Sequence, residues 1–301
     1  GLAPQIALGF KQGTYLGGER LVRTLADFLD IANATVKLLQ GGLHRRHQLL
    51  YRLLALLKIA LSALLEFAKR LARKIDEAEI SYRRAIDVDP NQLESYSKLA
   101  QLYTRQGRGS EVIRTYENAL AKNPKSGELH LILGTLNEAQ GGPGIDAAMK
   151  HYEKAIELNP ELAAAKNNLA FWLAEKGTDL DRALDLAQEA KAVLARNPRT
   201  NPMSADTLGW VFYKKNLPEA AVNYLREAVG GFDPTYPQDR QTRPLVRHHL
   251  ALALAALGDK REAASEWKLA LGEYAELPKT AGAAEPVWVT EARAGLAKLG
   301  A

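Results

Sequence analysis

Two pairs of histidines have a spacing that raises the question of metal binding. His44 and His47 stand three residues apart in the segment LHRRH, so that a helix would bring both imidazoles to one face. No carboxylate or third histidine lies near them in the sequence, and we interpret them as part of a basic helix start. His248 and His249 are adjacent, and adjacent residues of a helix point in different directions. The sequence therefore predicts no metal site.

The remaining motifs that could support catalysis are also incomplete. The segment GGPG at 141–144 lacks the Lys-Ser/Thr that a phosphate-binding loop requires, and YLGGER at 15–20 lacks the strand that precedes a dinucleotide site. The chain contains no cysteine, which excludes disulfides, thiolate metal ligands and cysteine nucleophiles. We predict a protein that is not an enzyme and that needs no cofactor.

Composition and charge narrow the function further. The 301 residues are 47% hydrophobic and 25% charged, as in an ordinary folded protein. Residues 1–75 carry 12 Lys and Arg against 4 Asp and Glu, whereas residues 76–301 carry 28 against 31. A uniform surface for nucleic acid is therefore not expected. No basic and apolar leader segment is recognisable, so we expect that any signal peptide has been removed or never existed.

One sequence motif recurs along the chain and is the strongest indication of its fold. The segments AEISYRRAIDVDP at 78–90, VIRTYENALAKNP at 112–124 and AMKHYEKAIELNP at 148–160 share a tyrosine, an alanine and a proline at fixed offsets. Looser copies follow, and the shared alanine recurs at gaps of 34 to 42 residues. These alanines are Ala85, Ala119, Ala155, Ala190, Ala228 and Ala270.

A second motif lies between the copies of the first and consists of an apolar residue followed by a small one. It occurs as Leu99-Ala100, Leu133-Gly134, Leu169-Ala170, Leu208-Gly209 and Leu250-Ala251. Small residues allow two antiparallel helices to approach closely, while large residues fill the space between successive pairs. Proline ends the second helix of a pair, and we expect Gly107 and Gly258 at the turn inside their pairs.

This pattern resembles the tetratricopeptide repeat, a helix-turn-helix unit of about 34 residues. The resemblance implies an all-α, right-handed superhelical solenoid. Five repeats are expected near 93–126, 127–162, 163–201, 202–236 and 244–277, with an earlier second helix at 72–89 and a capping helix at 285–300. The segment 230–244 is expected to be a long, partner-facing loop. We accordingly predict a repeat array over 72–301 and a separate amino-terminal region over 1–71.

The resemblance also implies where a partner binds, because the first helices of such repeats line a concave groove. The matched positions that we select are Gln101, Asn167, Phe171, Asp206, Trp210, Tyr213 and His248. Aromatic anchors beside hydrogen-bonding groups suit a protein or peptide segment. For each aromatic residue, packing between repeats is the alternative role. The lysine and asparagine pairs that clamp a chaperone's terminal carboxylate in related proteins are mostly missing, so that partner is disfavoured.

The amino-terminal region has a different character. On a helical wheel, the few polar residues of LLYRLLALLKIALSALLEF at 49–67 gather in an arc of roughly 120°, which indicates an amphipathic helix and not a membrane span. Residues 20–39 form a second amphipathic segment, and QGG at 40–42 indicates a turn, so we predict a helical hairpin that caps the array. Residues 43–89 contain no Gly or Pro and form either one long helix or two helices with a break near 74–76.

Two functions follow from these predictions. The first is a non-catalytic scaffold that binds a protein segment in its groove. The second is an assembly protein that self-associates, or docks on a membrane surface, through Leu53, Leu57 and Leu64. The Leu, Ala, Arg and Lys content of 43–75 also resembles an idealised helix fused to a natural array. Resemblance to bacterial repeat proteins implies the cytoplasm or periplasm, without a choice between them.

Overall fold

The computed structural model describes six positions between Arg23 and Asn33, residues 48–278 and residues 284–300, with side chains from residue 55 onward in the long segment. Every regular element in these ranges is an α-helix, which confirms the predicted all-α class. The described residues fall into two compact units, one ending at Asn123 and the other beginning at Pro124.

The first unit contains three helices with defined bounds. They are α1 (Gln48–Val88), α2 (Leu93–Arg105) and α3 (Gly109–Lys122). The second unit contains nine helices in its described part. They are α4 (Gly127–Glu138), α5 (Gly144–Leu158), α6 (Ala163–Lys176), α7 (Leu180–Leu194), α8 (Asn201–Lys214), α9 (Pro218–Gly231), α10 (Pro237–Leu257), α11 (Lys260–Ala275) and α12 (Val287–Leu299). Each predicted repeat thus contains one helix pair, and α12 follows the last pair.

Helix α1 is continuous over 41 residues, which decides between the two forms expected for residues 43–89. It crosses the predicted boundary at 71–72 without a break, and the division into domains at that point stays a prediction. Leu65 and Ala68 of α1 are buried, and Ala26, Leu29 and Leu61 pack against them. A contact between the two predicted amphipathic segments therefore exists, whereas the turn expected at 40–42 lies outside the described residues.

Small residues allow the close helix packing that the second motif, an apolar residue followed by a small one, predicts. A methyl group at Gly134 would lie 2.5 Å from the ring of Tyr152, and one at Gly209 would lie 2.7 Å from Leu225 Cγ. Helices α4 and α5, and helices α8 and α9, thus approach too closely for any larger side chain at these positions. The alanines at the corresponding positions are buried as well; they are Ala100, Ala170 and Ala251.

The expected turns also form inside the helix pairs. Gly107 and Gly258 have φ values of +69° and +95°, a region that glycine enters without a steric penalty. Asn216 fills the equivalent turn between α8 and α9 at φ +59°. Asparagine tolerates this conformation better than most residues with a side chain.

The loop predicted at 230–244 is mostly helical instead. Helix α10 begins at Pro237 and contains Pro244 in its interior, so the connection shrinks to the few residues after Gly231. Pro237 occupies the first helical position, where a missing N–H is harmless. Pro244 removes one hydrogen bond from the helix interior. Two residues later, Val246 is fully buried in a cluster that also contains Ala205, Ala228 and Phe232. Packing of this turn therefore outweighs the local preference against helix.

Within the residues that the structure describes, no helix combines the length and the apolar character needed to cross a bilayer.

Candidate functional site

Four rings from three helices form a continuous column in the second unit. Phe171 of α6 lies 6.5 Å from His249 of α10, His249 stacks on Trp210 of α8 at 4.2 Å, and Trp210 stacks on Tyr213 at 5.1 Å, all between ring centroids. We call these four residues the ring column. Trp210 and His249 are buried, while Phe171 and Tyr213 are half-buried at its ends. The arrangement is a rigid aromatic surface with two accessible edges.

Polar contacts hold Trp210 in one orientation. Its indole N–H donates a 2.8 Å hydrogen bond to Glu175 Oε2, which comes from the last turn of α6. Lys214 Nζ lies 4.8 Å from the centre of the Trp210 ring and 3.6 Å from the same Glu175 carboxylate. An aromatic side chain fixed in this way loses little further entropy when it contacts a ligand.

His249 is fixed in the same manner. Its Nδ1 lies 2.9 Å from Asp206 Oδ1, and since a carboxylate only accepts hydrogen bonds, Nδ1 carries the proton and donates it. Asp206 lies one turn before Trp210 on α8, so the carboxylate and the indole both contact the histidine ring. The sequence pattern predicts Asp206 and Trp210 as groove residues but does not indicate His249.

His248, a predicted groove residue, lies outside the ring column. It is 2% exposed, and its Nδ1 accepts a 3.0 Å hydrogen bond from the indole N–H of Trp267. Its Nε2 lies 3.3 Å from Glu291 Oε2 on α12. Burial lowers the pKa of His248 to about 3, with a further contribution from the nearby His249. The ring is therefore a neutral packing element between α10, α11 and α12. The helical periodicity of the sequence does not show which of the two histidines faces the groove, because both lie within one turn of Leu252.

Asn167 and Gln101 complete the predicted groove positions. Asn167 is buried one turn before Phe171 on α6, and its Oδ1 accepts no hydrogen bond from the described residues. Its amide group makes a 3.4 Å contact with Asn168 Oδ1. A buried acceptor without a donor is unfavourable by about 1–3 kcal/mol. Gln101 is exposed on α2 in the other unit. The structure thus brings Phe171, Asp206, Trp210 and Tyr213 together, with Asn167 one turn away.

A buried carboxyl group also lies near the start of this region. Glu138, at the end of α4, accepts a short hydrogen bond from the hydroxyl of Tyr152. Burial raises the pKa of Glu138 above its ordinary value, and burial together with the Glu138 charge raises the pKa of Tyr152. Since both groups are buried against each other, they serve packing between α4 and α5.

The candidate assembly surface lies on α1 in the first unit. Leu57 and Leu64 are 50% and 48% exposed, while the side chain of Leu53 lies outside the described residues. Further large apolar side chains of α1 are exposed to a similar or greater extent; they are Leu56, Ile59, Phe67, Leu71, Ile80 and Val88.

Metal ligands are sparse in the described part of the chain. No group of three or more histidine, aspartate or glutamate side chains there could enclose a metal ion. His44 and His47 lie outside the described residues.

Comparison with known proteins agrees with the helix pairs. Family models of the tetratricopeptide repeat match residues 95–128, which span α2 and α3, and residues 145–162, which span most of α5. A search of curated proteins finds no match.

Several solved structures share the fold. One is the crystal structure of the APC/C hetero-tetramer Cut9-Hcn1, with 16% identity and a TM-score of 0.56 over 94% of this chain and 54% of that chain. A second is BtubC (BKLC) from P. vanneervenii, with 19% identity and a TM-score of 0.53 over 73% of this chain and 97% of that one. A third is PilW, described as a widely conserved type IV pilus biogenesis factor, with 19% identity and a TM-score of 0.50 over 62% and 80%.

At these identities the similarity concerns the fold, and it agrees with the sequence models and with the repeated helix pairs. The chain contains tetratricopeptide repeat sequence at 95–128 and 145–162, within an all-α fold of repeated helix pairs.

Proposed function

We propose that this chain is a non-catalytic scaffold that binds a segment of a partner protein on the ring column. The observation that carries the proposal is the column of Phe171, His249, Trp210 and Tyr213, which three successive repeats contribute. Fixed aromatic rings with accessible edges are the side chains that contribute most to protein recognition.

The polar groups beside the column support a partner that is extended and mixed in character. Asn167 Oδ1 is a buried acceptor without a donor among the described residues, one turn from Phe171. Rotation of the Asn167 side chain would present Oδ1 to a backbone N–H of a bound segment, while an apolar side chain of the same segment covers Phe171. Asp206 and Glu175 are already engaged with His249 and Trp210, so they contribute rigidity and not binding charge.

The test begins with peptides selected from a random displayed library against the purified chain. Binding of each peptide is then measured by fluorescence anisotropy to the wild type, to Tyr213→Ala and to Tyr236→Ala. Tyr236 is the matched control, because it is 53% exposed and lies outside the column. Loss of an aromatic anchor weakens binding by about 2 kcal/mol, roughly 30-fold, if the peptide covers Tyr213.

Equal affinity of the wild type and Tyr213→Ala for every selected peptide would argue against the column as the binding surface. Selection of no peptide at all, in a library that yields ligands for an unrelated repeat protein, would argue against the scaffold role itself.

A second candidate function rests on the exposed apolar side chains of α1. Leu57 and Leu64 would mediate self-association or contact with a membrane surface, since a contiguous apolar surface of this kind is unusual in a monomer. The test is the solution mass by light scattering over a range of concentrations for the wild type, Leu57→Glu/Leu64→Glu and Lys58→Glu. Lys58 is exposed on a different side of the same helix, and its substitution changes the net charge by the same two units.

A wild-type mass above 33 kDa that returns to the monomer only in the leucine variant supports assembly through α1. A wild-type mass of 33 kDa at all concentrations excludes self-association, and flotation with vesicles then tests the membrane surface.

A further inference from the structure

A pair of histidines lies across one helix pair, away from the ring column. His130 of α4 and His151 of α5 place their Nδ1 atoms 2.9 Å apart, with ring centroids at 5.2 Å and ring planes inclined by 43°. Both side chains are half-buried. The two residues are 21 positions apart in the sequence, so no local spacing such as that of His44 and His47 indicates their contact.

We propose that His130 and His151 together bind one divalent transition-metal ion, of the class that favours imidazole ligands, through their Nδ1 atoms. Imidazole is a preferred ligand of Cu²⁺, Ni²⁺ and Zn²⁺. With metal–nitrogen bonds of about 2.0 Å, two ligands at a right angle are about 2.8 Å apart, and two tetrahedral ligands are about 3.3 Å apart. The observed 2.9 Å separation is close to the first value, which is that of tetragonal Cu²⁺ or Ni²⁺.

The protons balance without release to solvent. Each neutral imidazole has one N–H and one lone pair, and in the present arrangement one Nδ1 donates its proton to the lone pair of the other. When the metal binds, the donor ring moves its proton from Nδ1 to Nε2, so that both Nδ1 lone pairs face the ion. Water molecules keep the remaining coordination positions.

Two opposite charges lie near the rings. Lys154 and Glu157 both act electrostatically on His130, with opposite effects. Lys154 is itself paired with Glu157 at 2.6 Å, which limits its repulsion of an incoming cation. The two ligands come from antiparallel helices that pack closely at Gly134 and Tyr152, and this contact fixes the spacing of the rings.

The site is independent of the proposed scaffold function and is tested with metal alone. The untagged full-length chain is titrated with Cu²⁺, Ni²⁺ and Zn²⁺ in a weakly coordinating buffer, by calorimetry and by thermal unfolding. We expect one equivalent to bind, in the affinity order Cu²⁺ before Ni²⁺ and Zn²⁺, and to raise the unfolding temperature. His130→Ala and His151→Ala should each weaken that binding at least about tenfold.

The matched control is His44→Ala/His47→Ala, which removes the two histidines of the LHRRH segment and should keep the binding. Binding that survives in His130→Ala/His151→Ala, or that disappears only in the control, would overturn the proposal. A measurement on the wild type removes any dependence on how the variants fold. In NMR spectra, substoichiometric Cu²⁺ should broaden the ring signals of His130 and His151 first, and equal broadening of all six histidines would also overturn it.

Discussion

The close contact between α8 and α9 allows a quantitative prediction for Gly209→Ala. The added methyl group would lie 2.7 Å from Leu225 Cγ and 3.1 Å from the Leu225 backbone nitrogen, and Leu225 is fully buried. Since a backbone atom is among the obstacles, a change of rotamer is not enough and the helices must separate. Such overpacking costs about 1–3 kcal/mol, and alanine returns about 1 kcal/mol of helix propensity. We expect a net loss of up to about 2 kcal/mol in the free energy of unfolding.

The matched control is Gly272→Ala, on the exposed side of α11 with no neighbour within 4 Å of the new methyl group. That variant should gain about 0.5–1 kcal/mol, because alanine replaces glycine inside a helix. Urea unfolding followed by tryptophan fluorescence suits this comparison, since all four tryptophans, at 172, 210, 267 and 288, belong to the second unit. Equal midpoints for the two variants would refute the argument that close helix approach requires a small residue at 209.

Two further predictions concern His248 and Asn216. Because burial lowers the pKa of His248 from 6.5 to about 3, the unfolded chain binds a proton between these values that the folded chain does not. The free energy of unfolding should therefore fall as the pH drops below 6.5, by up to about 1.4 kcal/mol per pH unit from this residue. Urea unfolding at pH 7 and 5.5 should show a smaller pH dependence of stability in His248→Gln than in the wild type. Asn216→Ala should lose about 1 kcal/mol, because alanine has no local hydrogen bond to offset φ +59°, and Asn216→Gly should restore the midpoint.

The sequence predicted the helix pairs because their signals are local and repeated. Ala85, Ala119 and Ala155 each stand five residues before a proline, and helices α1, α3 and α5 each end two residues before that proline. The same local rule failed at residues 237–244, where two prolines indicated a loop. There the burial of Val246 and its neighbours, which no local pattern reveals, stabilises two additional helical turns.

The candidate site was predictable only in part, for a geometric reason. Trp210, Tyr213 and Phe171 were found because aromatic side chains at matched positions are conspicuous in the sequence. The role of His249 depends on which face of α10 packs against α8. Adjacent residues of a helix differ by only 100° in the direction of their side chains, so His248 and His249 are hard to tell apart from the sequence. The contact of His130 with His151 joins two helices, and its distance depends on how closely Gly134 allows them to pack.

The ring column also bears on how this array could change in length. Repeat proteins gain and lose whole repeats because each repeat contacts only its neighbours. Phe171 and His249 belong to repeats that are not adjacent, yet their rings lie 6.5 Å apart across the repeat that contains Trp210. Insertion of a further repeat between Phe171 and His249 would separate these two rings, so the ring column depends on this number and order of repeats and the three repeats are not interchangeable modules.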